Sequence, residues 1–224
     1  AYDPTNLLPA GPAYTFLQQP EQVISISDQA SQSMISGGAW APGGKWYASS
    51  YAEKSLLTID TLSGVRTLIG NTVAGMLDIA YDYTTSILYG ISYDGSSYSL
   101  LYKIDKETAN SILIGRVIQG ILVTLASDSL GNLYSLNLSD NSLYFINKYT
   151  AAPTLIGDVG FDAEYLQGME FDIKTNTCYM AAYNKTSSQG EMRVADIKTG
   201  STSMLGVFAN QAEITGFAIP FYFN

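Results

Sequence analysis

Residues 101–108, Leu-Tyr-Lys-Ile-Asp-Lys-Glu-Thr, followed at Leu113-Ile114-Gly115 by a second short apolar run, are the stretch that decides the fold. An apolar residue and a turn former, Ile104-Asp105, stand ten positions ahead of a glycine, and the arrangement recurs along the chain. It returns at Ile59-Asp60 with Leu68-Ile69-Gly70, at Ile146-Asn147 with Leu155-Ile156-Gly157, and at Ala195-Asp196 with Met204-Leu205-Gly206. A weaker copy runs from Ile26-Ser27 to Ile35-Ser36-Gly37.

Each copy reads as a β-hairpin: a strand, a turn rich in Thr, Ser and Gly, and a strand ending at the glycine. Upstream of each lies another hairpin, whose second strand carries a tyrosine, Tyr47, Tyr89, Tyr134 or Tyr179. Four strands per unit, with glycines spaced at roughly 40 residues, are the size of a propeller blade. The first unit lacks an innermost strand, and Gly216-Phe217-Ala218-Ile219-Pro220 resembles the innermost-strand segments at residues 78–82 and 168–172. The expectation is an all-β, five-bladed β-propeller with four antiparallel strands per blade, closed by the C-terminal strand joining the N-terminal blade beside residues 13–17. Closure of this kind removes exposed sheet edges. Residues 1–12, with three prolines and a glycine, read as an N-terminal extension, and residues 13–224 as a single propeller domain.

In the form Leu-Tyr-x-Ile-Asp-x-x-Thr followed by Leu-Ile-Gly, the repeat resembles those of secreted and cell-surface bacterial propellers, notably Bacteroidetes-type surface proteins, over about residues 13–220. The resemblance implies a fold and an extracellular or cell-surface setting; it carries no activity.

Composition narrows the function classes. Only 14% of the 224 residues are charged, the net charge is −9, and no run of Lys or Arg is present to track phosphates, so nucleic acid is not an expected partner. No apolar stretch is long enough to suggest membrane insertion. The chain has no histidine, which removes His-based triads, general bases and metal ligands, and its one cysteine, Cys178, reads as a buried apolar thiol. No catalytic residue and no metal site is assigned.

Candidate ligand-binding residues are those that break the repeat. Aligning innermost strands sets Trp40, Ala80, Ala126, Glu170 and Ala218 in one column, where Trp40 stands out as a platform and Glu170 as an acceptor facing the central channel. With Asp78 nearby, Glu170 is placed to hold a cation, waters or a sugar hydroxyl there; its structural alternative is contact with solvent or a lysine. No other cofactor is expected. The longer loops, 158–167 and 207–215, bring Phe161, Asp162, Glu164, Tyr165 and Glu213 to one face, a mixture suited to sugars or proteins. Aspartates repeated at one slot, Asp60, Asp105 and Asp196 or Asp82, Asp128 and Asp172, read as turn formers. Asn137-Leu138-Ser139 and Asn184-Lys185-Thr186 match the N-glycosylation acceptor.

The function expected is a non-enzymatic binding or adhesion module presenting loops to a protein or glycan, as part of a larger multidomain surface protein. A carbohydrate-active enzyme using channel and loop carboxylates, and a structural subunit of a surface assembly, are the alternatives.

Overall fold

The computed structural model describes residues 11–27 and 33–221. The chain enters through a hairpin, β1 (Ala13–Phe16) and β2 (Gln19–Ser25), and then builds four sheets of four antiparallel strands. The first holds β3 (Gly37–Ala41), β4 (Lys45–Ser50), β5 (Ser55–Ile59) and β6 (Arg66–Asn71). The second holds β7 (Asp78–Asp82), β8 (Ile87–Tyr93), β9 (Tyr98–Ile104) and β10 (Ser111–Gln119). The third holds β11 (Ala126–Ser127), β12 (Leu133–Asn137), β13 (Ser142–Ile146) and β14 (Pro153–Asp158). The fourth holds β15 (Gly168–Asp172), β16 (Thr177–Asn184), β17 (Gln189–Ala195) and β18 (Thr202–Val207). Among the described residues, helix is confined to one turn at Ala209–Gln211.

The repeated motif explains both the turn and the contact between blades. Asp105 accepts the main-chain N–H groups of Glu107 and Thr108 at 2.8 and 3.1 Å, and Asp60, Asn147 and Asp196 cap their own turns in the same way. Four residues later each turn needs a left-handed backbone, which falls on Gly64 (φ 72°), Ala109 (63°), Ala151 (61°) and Gly200 (84°). The outer strand then carries a bulge just before the motif glycine. A side chain at Gly70, Gly115 or Gly157 would run into the turn of the next blade, at Thr108–Ala109, Thr150–Ala151 or Thr199–Gly200. The glycine is therefore where one blade leans on its neighbour.

The same contact locates the entry hairpin. Gly206 of the fourth blade leans on Pro20, and Gly64 of the first blade packs against Pro12 and Ser27. The hairpin β1–β2 thus stands between the fourth and first blades, and buried apolar clusters fill the spaces between sheets.

One expectation is met in part and two are corrected. Among the described residues four blades have four strands, while β1–β2 forms a two-stranded sheet. The weak copy at residues 26–37 lies partly outside the described residues, and its Gly37 opens β3 instead of ending an outer strand; the hairpin seen here lies earlier, at β1–β2, whose tight turn lacks the aspartate that marks the others. Among the described residues, residues 217–220 lie opposite β1 across a cavity and join no ladder with residues 13–17.

Candidate functional site

Innermost strands β3, β7, β11 and β15 converge on the axis, where each carries an edge of main-chain N–H groups with no further strand to pair with. Two buried carboxylates answer that deficit. Asp78 Oδ1 accepts the N–H groups of Gly38 (3.1 Å) and Ile79 (2.9 Å), and Oδ2 accepts that of Leu125 (2.8 Å), tying three blades together. Glu170 accepts the N–H of Trp40 at 3.3 Å and of Phe171 at 3.2 Å, tying the fourth blade to the first. Both are almost fully buried, at 1% and 3% exposure. Burial pushes Asp78 well above the usual carboxylate range against the pull of its three N–H donors, with Glu170 adding to the rise, and pushes Glu170 up to about 8. Convergence at the axis also accounts for the glycine pair opening β3: a side chain on Gly37 would strike Asp78, and one on Gly38 the main chain of Gly216.

The register revises the axial column. Tyr47, Tyr89, Tyr134 and Tyr179 pair with Ala39, Ala80, Ala126 and Glu170, so Ala39 and not Trp40 shares the column. A shift of one residue sends a side chain to the opposite face of the sheet. Trp40 accordingly turns away from the channel; it is 2% exposed and gives its indole N–H to the carbonyl of Phe221 at 3.0 Å. Cys178, also buried, has its thiol pushed up by burial and by Glu170.

The loop residues gather elsewhere, at the edge of the fourth blade. The connection from β14 to β15 crosses beside β16, with Ala163 bridging to Asn184. Lys185 opens the turn between β16 and β17, donates its N–H to the carbonyl of Asp162 at 2.8 Å and pairs with Glu164 at 3.2 Å, which holds its ammonium above the usual range. Asp162 also accepts from Asn141 at 3.2 Å. Tyr165 leans on Tyr183 with ring centroids 5.1 Å apart, and Arg193 lies 4.5 Å over the Phe161 ring while paired with Glu191. Glu213 is buried, and the Tyr183 phenol is raised by burial first, then by Tyr165, Glu213 and Glu164. The structure therefore separates the candidates into an axial pair, Asp78 and Glu170, and a rim patch, Phe161, Asp162, Glu164 and Tyr165. Tyr183, Lys185 and Arg193 belong to that patch and were not among the candidate ligand-binding residues; Lys185 figured only within the glycosylation match Asn184-Lys185-Thr186.

One residue of the patch has an unfavourable backbone. Tyr165 is held at φ 62° while 53% of its surface is exposed. A bulky aromatic side chain rarely adopts that region. Of the two glycosylation matches, Asn137 is buried at 1% exposure, which closes it to modification in the folded protein.

Comparison with solved structures gives the propeller arrangement. The chain is similar to a protein of unknown function from Bacteroides thetaiotaomicron, with TM-score 0.56 and 16% identity over 78% of this chain and 44% of that one. It is similar to the PQQ-bound aldose sugar dehydrogenase of Streptomyces coelicolor (TM-score 0.52, 15% identity, 73% and 60%) and to Kuenenia stuttgartiensis hydrazine synthase (0.52, 13%, 77% and 49%). The chain spans 44 to 60% of the length of these proteins, and at such identities the likeness shows the fold alone. No family model matches the chain, and no curated protein matches it.

Proposed function

We propose that the protein is a non-enzymatic, extracellular or cell-surface binding module, a five-bladed propeller whose rim presents a loop patch to a protein or glycan ligand within a larger surface protein. The observation that carries this reading is Tyr165, an aromatic side chain displayed at the surface on a left-handed backbone, with Tyr183, Lys185, Glu164 and Asp162 around it. Backbone strain retained at an exposed aromatic serves no packing need, and aromatic area beside fixed charges is what such ligands recognise. Five-bladed closure is supported by the contacts of Gly206 with Pro20 and of Gly64 with Pro12 and Ser27, and by residues 216–217 lying between Gly38 and Gly168.

The test is a glycan array and a panel of surface proteins probed with the wild type and with Tyr165→Gly. Glycine relieves the backbone, so the variant should keep or raise its melting temperature while losing the bound ligand. Binding unchanged by the substitution would remove the patch from the proposal.

An enzymatic reading has one observation in its favour: Glu170, held up to about 8, is protonated at neutral pH as a general acid must be. Its oxygens face main-chain N–H groups, however, and its side chain is buried. Turnover on a glycan panel that Glu170→Gln abolishes would favour this reading over the first.

A further inference from the structure

Two residues beyond the axial column, three blades carry an aspartate and one does not. Asp82, Asp128 and Asp172 follow Ala80, Ala126 and Glu170, whereas Ala41 follows Ala39. In the second blade that aspartate closes the junction with the third: Asp82 Oδ2 accepts from Lys148 Nζ at 2.6 Å, and its side chain is wholly buried. Lys148 follows the turn former Asn147 as Lys106 follows Asp105. Lys106 is therefore its counterpart at the junction of the first and second blades, where the aspartate slot holds only the methyl group of Ala41.

That junction is open. A groove of about 540 Å³, within the range of small-ligand sites, is lined by Tyr47, Thr58 and Thr67 of the first blade and by Lys106 and Glu107 of the second. Cross-strand neighbours account for the room. Thr58 and Thr67 stand in line with Tyr47, where Lys103 and Ile112 stand with Tyr89, Phe145 and Thr154 with Tyr134, and Val194 and Ser203 with Tyr179. Among the described residues the hydroxyls of Tyr47, Thr58 and Thr67 make no hydrogen bond, although Tyr47 is 1% exposed. A buried hydroxyl ordinarily finds a partner, and Tyr134, its counterpart in the third blade, donates to Asp128 at 3.3 Å. Lys106 makes one ion pair, with Glu107 at 3.7 Å, and a pair whose carboxylate is 66% exposed contributes little. Asp60, also on the groove, is occupied by its own turn, and the exposed Lys45 adds a second cation.

We propose that this groove is a binding site for an acidic sugar, whose carboxylate takes the place of the missing aspartate between Lys106 and the Tyr47 hydroxyl while its ring hydroxyls meet Thr58 and Thr67. The site is separate from the rim patch around Tyr165 and does not depend on it.

Calorimetric titration with three hexuronates, glucuronate, galacturonate and mannuronate, tests the assignment, with the parent hexoses and acetate as controls for the ring and the carboxylate alone. At least one hexuronate should bind about tenfold or more tightly than its hexose and than acetate. Lys106→Met should weaken that binding about tenfold or more, because it removes the charge-assisted contact. Ala41→Asp restores the carboxylate of the other blades; it should abolish binding while keeping the wild-type melting temperature or exceeding it. Should that variant fail to fold, Thr58→Phe, which places in the groove the residue the third blade holds there, decides by the same loss of binding. Hexuronates that bind no better than their hexoses, or binding that survives Lys106→Met and Thr58→Phe unchanged, overturns the proposal. Acetate binding as tightly as the hexuronates overturns the sugar as ligand.

Discussion

At the residue scale the axial carboxylates are staples first. Asp78→Ala would leave the N–H groups of Gly38, Ile79 and Leu125 without their acceptor, and a buried unsatisfied donor costs about 1–3 kcal/mol. The variant should lose more than about 3 kcal/mol in urea denaturation, with Asp78→Asn losing less because it keeps one acceptor oxygen. Glu170 makes a pH prediction of definite sign. Its folded value of about 8 lies above the ordinary 4.5, so its contribution to stability is present below about 4.5 and is lost as pH rises through 8. Asp78 acts in the same direction, and Tyr83 and Cys178 are the other titratable groups that feel Glu170. The turn aspartates Asp60, Asp94, Asp105 and Asp196 are held low and act only under acid conditions. Thermal melts should therefore show the protein more stable near pH 5 than near pH 8.5, and Glu170→Gln should flatten that slope; an unchanged slope would contradict the assignment. The special character of Glu170 was legible in the sequence because a carboxylate broke a column of alanines. That of Trp40 was misplaced by one residue, since Gly-Gly-Ala-Trp-Ala offers no alternation from which to fix a register.

At the element scale the hairpin motif was the most legible feature, because its chemistry is local: an aspartate or asparagine caps its own turn, and the glycine ten residues on is demanded by the neighbouring blade. The sites differ in how hard that demand is. A Cβ at Gly157 would meet the main chain of Thr199, whereas one at Gly115 would come within 3.2 Å of the Ala151 methyl. Gly157→Ala should accordingly cost about 1–3 kcal/mol, and Gly115→Ala less, by urea denaturation. Equal costs would mean that the blades adjust their spacing freely. The entry hairpin escaped notice for the complementary reason: β1 and β2 are joined through Leu17-Gln18, without the aspartate that flags the other turns, and the apparent copy at Ile26 drew the register downstream. The rim patch was legible only as loop length and composition, since the meeting of Tyr165 with Tyr183 and of Glu164 with Lys185 depends on how the loop crosses β16.

At the scale of the whole molecule, the proposed ring closure runs through the C-terminal segment, with Phe217 buried against the fourth blade and Gly216 against β3. Repeat counting leads to the proposal of a blade shared by the two ends of the sequence, because the first unit lacks its innermost strand. It could not foresee that residues 217–220 would face β1 across a cavity, which depends on what fills the space between them. Removing a buried phenylalanine costs about 3–5 kcal/mol, and in a domain of this size each kcal/mol moves the melting temperature by about 2–4 °C. The most direct test is thermal unfolding of the chain cut after Ile214, measured beside the intact protein. Closure predicts a melting temperature lower by about 10 °C or more. A truncated protein that melts cooperatively at the same temperature as the intact one would show that residues 215–224 do not close the ring.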